Sequence, residues 1–228
     1  MNMGFTPPQP LPSSDERNTY DKTSSEIVQN VGTWGPRSLR LLAYTSQAWE
    51  AYLILLESVP AVPQTSFIAL LRRATPEAAL LAARRLHASP AFLLGVGFIC
   101  AGAYLRVVCF RRLGRYFTFE LSVQKDHELI TDGPYAFVRH PSYSAALLQV
   151  IGFVLCLAAP GSWWSESGMW HSSVGRLATV LFGIQMTLCV GGGVDRTFKE
   201  DAVMKSMFKD KWVKWAERTS YRLIPFIF

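Results

Sequence analysis

Cysteine is scarce in this chain, and closely spaced metal ligands are missing. Of 228 residues only four are Cys. Cys100, Cys109, Cys156 and Cys189 each fall inside an apolar run, without the short spacing that holds a metal. No metal is therefore expected, and the four thiols read as packing residues in a reduced setting. A secretory leader is not seen either. Residues 1–33 contain TPPQPLPSSDERNTYDKTSSE, rich in Pro, Ser and charge, and lack the apolar core of a cleavable signal. Such a composition cannot bury enough apolar surface to fold, so residues 1–33 are expected to be a disordered cytosolic tail ahead of one domain at 34–228. Charge is sparse as well: 18% of residues are charged against 50% hydrophobic, with a net charge of +6. The excess positive charge flanks apolar runs, which gives it a topological explanation, and nucleic-acid binding is not expected.

What is present is apolar sequence in blocks. A bilayer span takes about 20 predominantly apolar residues. Pro90–Phe110, Tyr143–Ala159 and Val174–Val194 reach or approach that length. Leu39–Val59 is a weaker fourth candidate, because Glu50 and Glu57 interrupt it, and a buried amphipathic helix is the alternative there. The fold expected is all-α: a polytopic membrane protein of about four to six membrane helices, with an amphipathic C-terminal helix.

Basic residues set the expected orientation. Arg106, Arg111, Arg112 and Arg115 follow the second run, and Lys199, Lys205, Lys209, Lys211, Lys214, Arg218 and Arg222 follow the last. Both ends are assigned to the cytosol by the excess of Lys and Arg. The connection GSWWSESGMWHSS has no Lys or Arg and three Trp, as a lumenal hairpin would. Arg72, Arg73, Arg84 and Arg85 fit that parity only if their segment lies along the surface or re-enters. TPEAALLAARR, with Thr75 as cap and Pro76 at the first position, predicts an interfacial helix there.

Two polar constellations stand at the cytosolic level. His127, Tyr135, Arg139, His140 and Tyr143 crowd into 17 residues beside an apolar run, where Gly133 and Pro134 break regular structure. Interfacial anchoring would use such residues too, but their density suggests a ligand pocket. Arg196 and Glu200, four apart, share one helix face, either as a surface ion pair or as a guanidinium set to fork onto a carboxylate. Gly191 to Gly193, just before them, allow close approach by a helix or a ligand.

HELITDGPYAFVRHPSY, the apolar hairpin after it, and the tail R-x-x-x-E-D, F-K-x-x-W-x-x-W and R-L-I-P-F-I together resemble the isoprenylcysteine carboxyl methyltransferase family. The resemblance covers roughly residues 104–228. It implies an integral membrane enzyme that uses S-adenosyl-L-methionine, in a wider group that includes phospholipid methyltransferases. Carried over residue by residue, it implies cofactor contacts at Gln124, at His127, Glu128, Leu129 and Ile130, at Tyr135, and at His140, Pro141, Ser142 and Tyr143. Glu200 falls on the cofactor side, Arg196 meets the substrate, and these two are the implied catalytic pair.

The implied reaction is methylation of the C-terminal prenylcysteine carboxylate of processed prenylated proteins, giving a methyl ester. The implied setting is the endoplasmic reticulum membrane with the site facing the cytosol, and the implied partners are prenylated C-termini and the bilayer. A phospholipid or small isoprenoid acid as acceptor, and a non-catalytic scaffold, are the alternatives. The chain departs from the family pattern in places. Asp201 stands where relatives usually carry a second Glu, Lys209 replaces a Gly, and Trp212 and Trp215 often are Tyr. Ser144-Ala145-Ala146 replaces a run that often begins Gly-Trp, a change expected to face lipid or substrate.

Overall fold

The computed structural model describes residues 26–59, 67–114 and 128–228. Among the described residues the regular structure is helical throughout: α1 (Glu26–Ser58), α2 (Phe67–Ala74), α3 (Glu77–Ala83), α4 (Pro90–Leu113), a 3-10 turn (Gly133–Ala136), α5 (Pro141–Ala158), α6 (Trp163–Glu166), a second 3-10 turn (Met169–His171), α7 (Ser173–Phe208) and α8 (Asp210–Arg218). The helix starts follow from local sequence. Proline opens α4 and α5, where its missing N–H costs nothing. The Ser89 hydroxyl accepts from Phe92 N at 3.4 Å and the Ser172 hydroxyl from Gly175 N at 2.9 Å, capping α4 and α7.

The protein is an all-α membrane protein. Helices α4 and α7 and the segment that begins with α5 are long and apolar enough to cross a bilayer. Leu177, Leu181, Ile184 and Leu188 on α7 are more than half exposed, an arrangement suited to lipid as solvent. Three of the four expected runs thus qualify among the described residues. The Leu39–Val59 run does not; it lies in α1, and both of its interrupting acids have polar partners. Glu50 Oε1 accepts from Trp163 N at 2.9 Å, and Glu57 Oε2 lies 3.2 Å from Arg84 Nε. Helix α1 begins at Glu26, within the 1–33 stretch assigned to the tail. Residues 1–25 lie outside the described residues.

The chain forms two compact units. One comprises Arg37–Ile99 and Val150–Met186. Here Leu53 of α1 packs with Ala79 and Ala83 of α3, flanked by Trp49, Tyr52, Leu86 and Trp163. Arg72, in the last turn of α2, donates to the carbonyl oxygens of Leu56 and Val59, supplying the C-terminal end of α1 with donors its own backbone lacks. The expected cap of α3 is shifted. Pro76 occupies the capping position and Glu77 begins the helix, while the Thr75 hydroxyl turns back to Leu71 O at 2.8 Å and meets the Tyr52 hydroxyl at 2.8 Å. Thr75 therefore closes α2 rather than opening α3, its hydroxyl bonding back to the carbonyl four residues earlier, which also accepts from Thr75 N at 3.0 Å.

The other unit comprises Met1–Pro36, Cys100–Gln149 and Thr187–Phe228. Its core joins Cys109 of α4, Tyr135 and Trp215 of α8, with Leu105, Leu113, Leu129, Ile130 and Trp212 around them. A Cβ on Gly102 would lie 2.6 Å from Ala145 O, so α4 and α5 touch backbone to backbone at this level. The expected amphipathic C-terminal helix is α8 alone, since residues up to Phe208 continue α7. Lys209 makes the break with φ 47° and ψ −120°, a conformation that glycine adopts without strain and lysine does not.

Two stability measurements check this packing. Lys209→Gly should raise the thermal midpoint in detergent, through roughly 1 kcal/mol of relieved strain; a lowered midpoint would exclude the left-handed junction. Gly102→Ala should lower the midpoint, whereas Gly97→Ala, whose Cβ would meet nothing within 4 Å, should leave it nearly unchanged. Equal effects of the two alanines would contradict the close approach of α4 to α5.

Candidate active site

The polar residues of the second unit converge on His140, the residue before α5. Its Nε2 lies 2.9 Å from Asp201 Oδ1 and its Nδ1 lies 3.4 Å from Glu200 Oε2. Two acceptors facing both ring nitrogens call for two N–H donors, which only the imidazolium provides. Glu200 is held on its other oxygen too: Oε1 accepts from the Tyr143 hydroxyl at 2.6 Å and from Arg196 Nε at 3.0 Å. The Arg196–Glu200 pair is therefore more than a surface ion pair, since three side chains meet on one partly buried carboxylate. Gly193 faces the Tyr143 ring, with 3.7 Å from an ideal Cβ to Cδ1, whereas a Cβ on Gly191 would meet nothing within 4 Å.

The Asp201 carboxylate receives three cations. Arg222 Nε and Nη2 each lie 3.0 Å from Oδ2, and Arg139 Nε lies 3.3 Å away. The segment Thr219–Leu223 is tied to the mouth of α5 through its backbone. Arg139 N donates to Tyr221 O and His140 N to Arg222 O, both at 2.9 Å, and the Ser144 hydroxyl donates to Leu223 O. Trp215 Nε1 donates to Tyr135 O at 3.2 Å, fastening α8 to the same mouth.

Burial alone would lower the His140 pKa, but the hydrogen bonds to Asp201 and Glu200 outweigh it and hold the pKa above its ordinary 6.5. Tyr135 is shifted chiefly by burial, which pushes its phenol well above the usual range and keeps it neutral beside Cys109.

The structure gathers Tyr135, His140, Pro141, Tyr143, Arg196 and Glu200 into one unit. Leu129 and Ile130 pack against the Tyr135 core, Ser142 is half-buried in the first turn of α5, and Glu128 is exposed. Gln124 and His127 lie outside the described residues. The expectation for Ser144-Ala145-Ala146 needs correction. Ser144 holds a tail carbonyl and Ala145 is fully buried at the approach of Gly102, so these two positions face protein, not lipid.

Sequence reasoning missed the grouping of Asp201, Arg139 and Arg222. Its signals were the acid next to Glu200 and the arginine that opens RLIPFI. Arg106, read as a topological charge, lies one helical turn beyond Gly102, within electrostatic reach of Tyr143, Arg196 and Tyr135.

Comparison with known proteins places residues 94–163 in register with the family model of the isoprenylcysteine carboxyl methyltransferase (ICMT) family. That stretch includes Tyr135, His140 and Tyr143 and ends before Arg196. The chain is 41% identical over 64 residues to the protein-S-isoprenylcysteine O-methyltransferase of Schizosaccharomyces pombe, covering 27% of each chain. It is 25% identical over 135 residues to protein-S-isoprenylcysteine O-methyltransferase B of Arabidopsis thaliana, covering 58% of each. The chain thus spans less than two thirds of the length of these curated relatives. No solved structure matches it.

The His140 bridge makes stability depend on pH in a fixed direction. A folded-state pKa above 6.5 means that its contribution is fully present below that value and is lost as pH rises through the folded pKa. The thermal midpoint in detergent should fall across that interval in the wild type, and His140→Gln should flatten the dependence. An equally steep profile in His140→Gln would assign the loss to another group.

Proposed function

We propose that this chain, whose residues 94–163 match the family model, is an isoprenylcysteine carboxyl methyltransferase that methylates the C-terminal prenylcysteine carboxylate of processed prenylated proteins, with S-adenosyl-L-methionine as donor. The observation that carries the reading is the Glu200 carboxylate, held on α7 by Arg196, Tyr143 and His140 and flanked by cations suited to a second carboxylate. The donor set fits the cofactor. A carboxylate offers about four acceptor positions, and three partners leave capacity for the ammonium of the methionine moiety. Tyr135, His140 and Tyr143 add aromatic and hydrogen-bonding surface for the adenosine end.

When bound beside Glu200, the cofactor would supply an electrophilic methyl group on a sulfonium, within reach of an acceptor carboxylate that Arg196 would hold. The carboxylate is already ionised at neutral pH, so no side chain need act as base. The protein's task is placement. Arg196 orients the acceptor carboxylate, Glu200 orients the donor, and positioning of this kind supplies up to about 7 to 11 kcal/mol of barrier reduction.

Membrane residence supports the same reading. A prenyl chain gains about 0.8 kcal/mol per CH2 removed from water, so the acceptor arrives through the bilayer while the soluble donor arrives from the cytosol. The basic residues after α4 and α7 support a cytosolic site, in our proposal at the endoplasmic reticulum membrane.

A membrane assay with labelled cofactor tests the substrate. N-acetyl farnesylcysteine, its geranylgeranyl counterpart and phosphatidylethanolamine are offered side by side, and labelling of the lipid alone would overturn the proposal. Arg196→Lys keeps the charge but loses the planar fork, so turnover should fall about tenfold or more with cofactor affinity near normal. Glu200→Gln should weaken cofactor binding as well. Wild-type turnover in Arg196→Lys would remove the carboxylate clamp.

A further inference from the structure

Asp201 neighbours Glu200 but has no part in the transfer as described, and its chemistry is unusual. It is a buried carboxylate, 6% exposed, whose two oxygens do different things. Oδ2 takes the Arg222 guanidinium through Nε and Nη2, both at 3.0 Å, and Oδ1 takes His140 Nε2 at 2.9 Å. The circuit closes through the backbone, because His140 N donates to Arg222 O at 2.9 Å. His140, Asp201 and Arg222 thus form a ring of three residues from three segments, each bonded to the other two.

Arg222 is itself immobilised. Its guanidinium carbon lies 3.7 Å from the centroid of the Phe198 ring, and the Ser144 hydroxyl holds the next carbonyl, Leu223 O. An arginine so fixed presents its charge in one place. The imidazole, by contrast, has one free torsion about its ring axis and two similar nitrogens to offer. What selects the orientation with Nδ1 towards Glu200 is a fixed acceptor at Nε2.

We propose that Asp201 and Arg222 are positioning residues: Arg222 pins one oxygen of Asp201 so that the other locks the His140 ring with its Nδ1 turned to Glu200. This rests on the reading of His140 and Glu200 as donor-side groups. The charged and titratable groups facing His140 are Arg139 and Tyr143 on its own segment, Arg196, Glu200 and Asp201 on α7, and Arg222 from the tail. Two of these, Asp201 and Arg222, make opposite predictions if they act by charge alone. Removing a nearby cation raises a histidine pKa, whereas releasing the carboxylate that the cation positions lowers it.

The experiment uses the full chain in detergent with isotope-labelled histidine, the His140 ring signal being identified by its loss in His140→Gln. In Asp201→Asn and in Arg222→Gln the His140 titration midpoint should move down towards its ordinary value, and affinity for S-adenosylhomocysteine should weaken about tenfold. An upward shift in Arg222→Gln would show that Arg222 acts only as a repelling charge and would overturn the proposal. An unmoved midpoint in both variants would overturn it too, leaving the ring of bonds a fastening for the tail. Should Arg222→Gln fail to fold, Arg222→Lys keeps the cation but loses the paired Nε and Nη2 contacts to Oδ2: a midpoint moved down supports positioning, and an unmoved one would overturn the proposal. Failure of the wild type to bind S-adenosylhomocysteine would instead count against the proposed function, since the histidine titration is read without ligand.

Discussion

The candidate site depends on one imidazolium held between two consecutive carboxylates. Neighbouring residues on a helix point about 100° apart, so Glu200 and Asp201 cannot address one partner unless that partner sits in the wedge they make. His140 occupies it, with one ring nitrogen for each acid. Once that is set, the other contacts are divided by side. Glu200 gathers Arg196 and Tyr143, and Asp201 gathers Arg139 and Arg222. One buried and one partly buried anion side by side would be costly alone and are tolerable because each has several cationic or hydroxyl partners.

The same division separates chemistry from scaffolding. The Glu200 side is partly exposed, and in the proposed function the groups around it would serve a methyl donor and a carboxylate acceptor. The Asp201 side is dry and fully engaged, with its partners drawn from backbone-anchored segments. A helix that carries two adjacent acids thereby offers one face to ligands and another to the protein, without any change of backbone geometry.

Much of the fold was legible in sequence because lipid imposes a simple length rule. The runs at 90–110, 143–159 and 174–194 became helices with little change at their starts, where Pro90, Pro141 and the Ser172 cap mark them. Their ends were less legible. Helix α7 continues to Phe208 because nothing in GGGVDRTFKEDAVMKSMF breaks it, and hydropathy reports only where the apolar part stops. The role of Leu39–Val59 was obscured because Glu50 and Glu57 find partners, Trp163 N and Arg84, far from them in sequence. Within the site, the motif residues were visible as a cluster, but Asp201 and Arg222 were not paired in advance, since sequence spacing carries no sign of a contact 21 residues apart. Ser144 was misread for the same reason: its partner, the Leu223 carbonyl, is 79 residues away.

That long reach has a consequence for the order in which the molecule is built. The membrane helices satisfy their own backbone bonds and are stable as separate inserted units. The site is knit from pairs 57 to 81 residues apart, among them Tyr143–Glu200, His140–Asp201 and Arg139–Ser220. Insertion is thus a local event and site closure a late one. During synthesis the chain passes through a stage in which its helices already sit in the bilayer while His140, Glu200 and Asp201 still await the Arg222 segment. The charges of the site are thus fully paired only once the segment carrying Arg222 has docked.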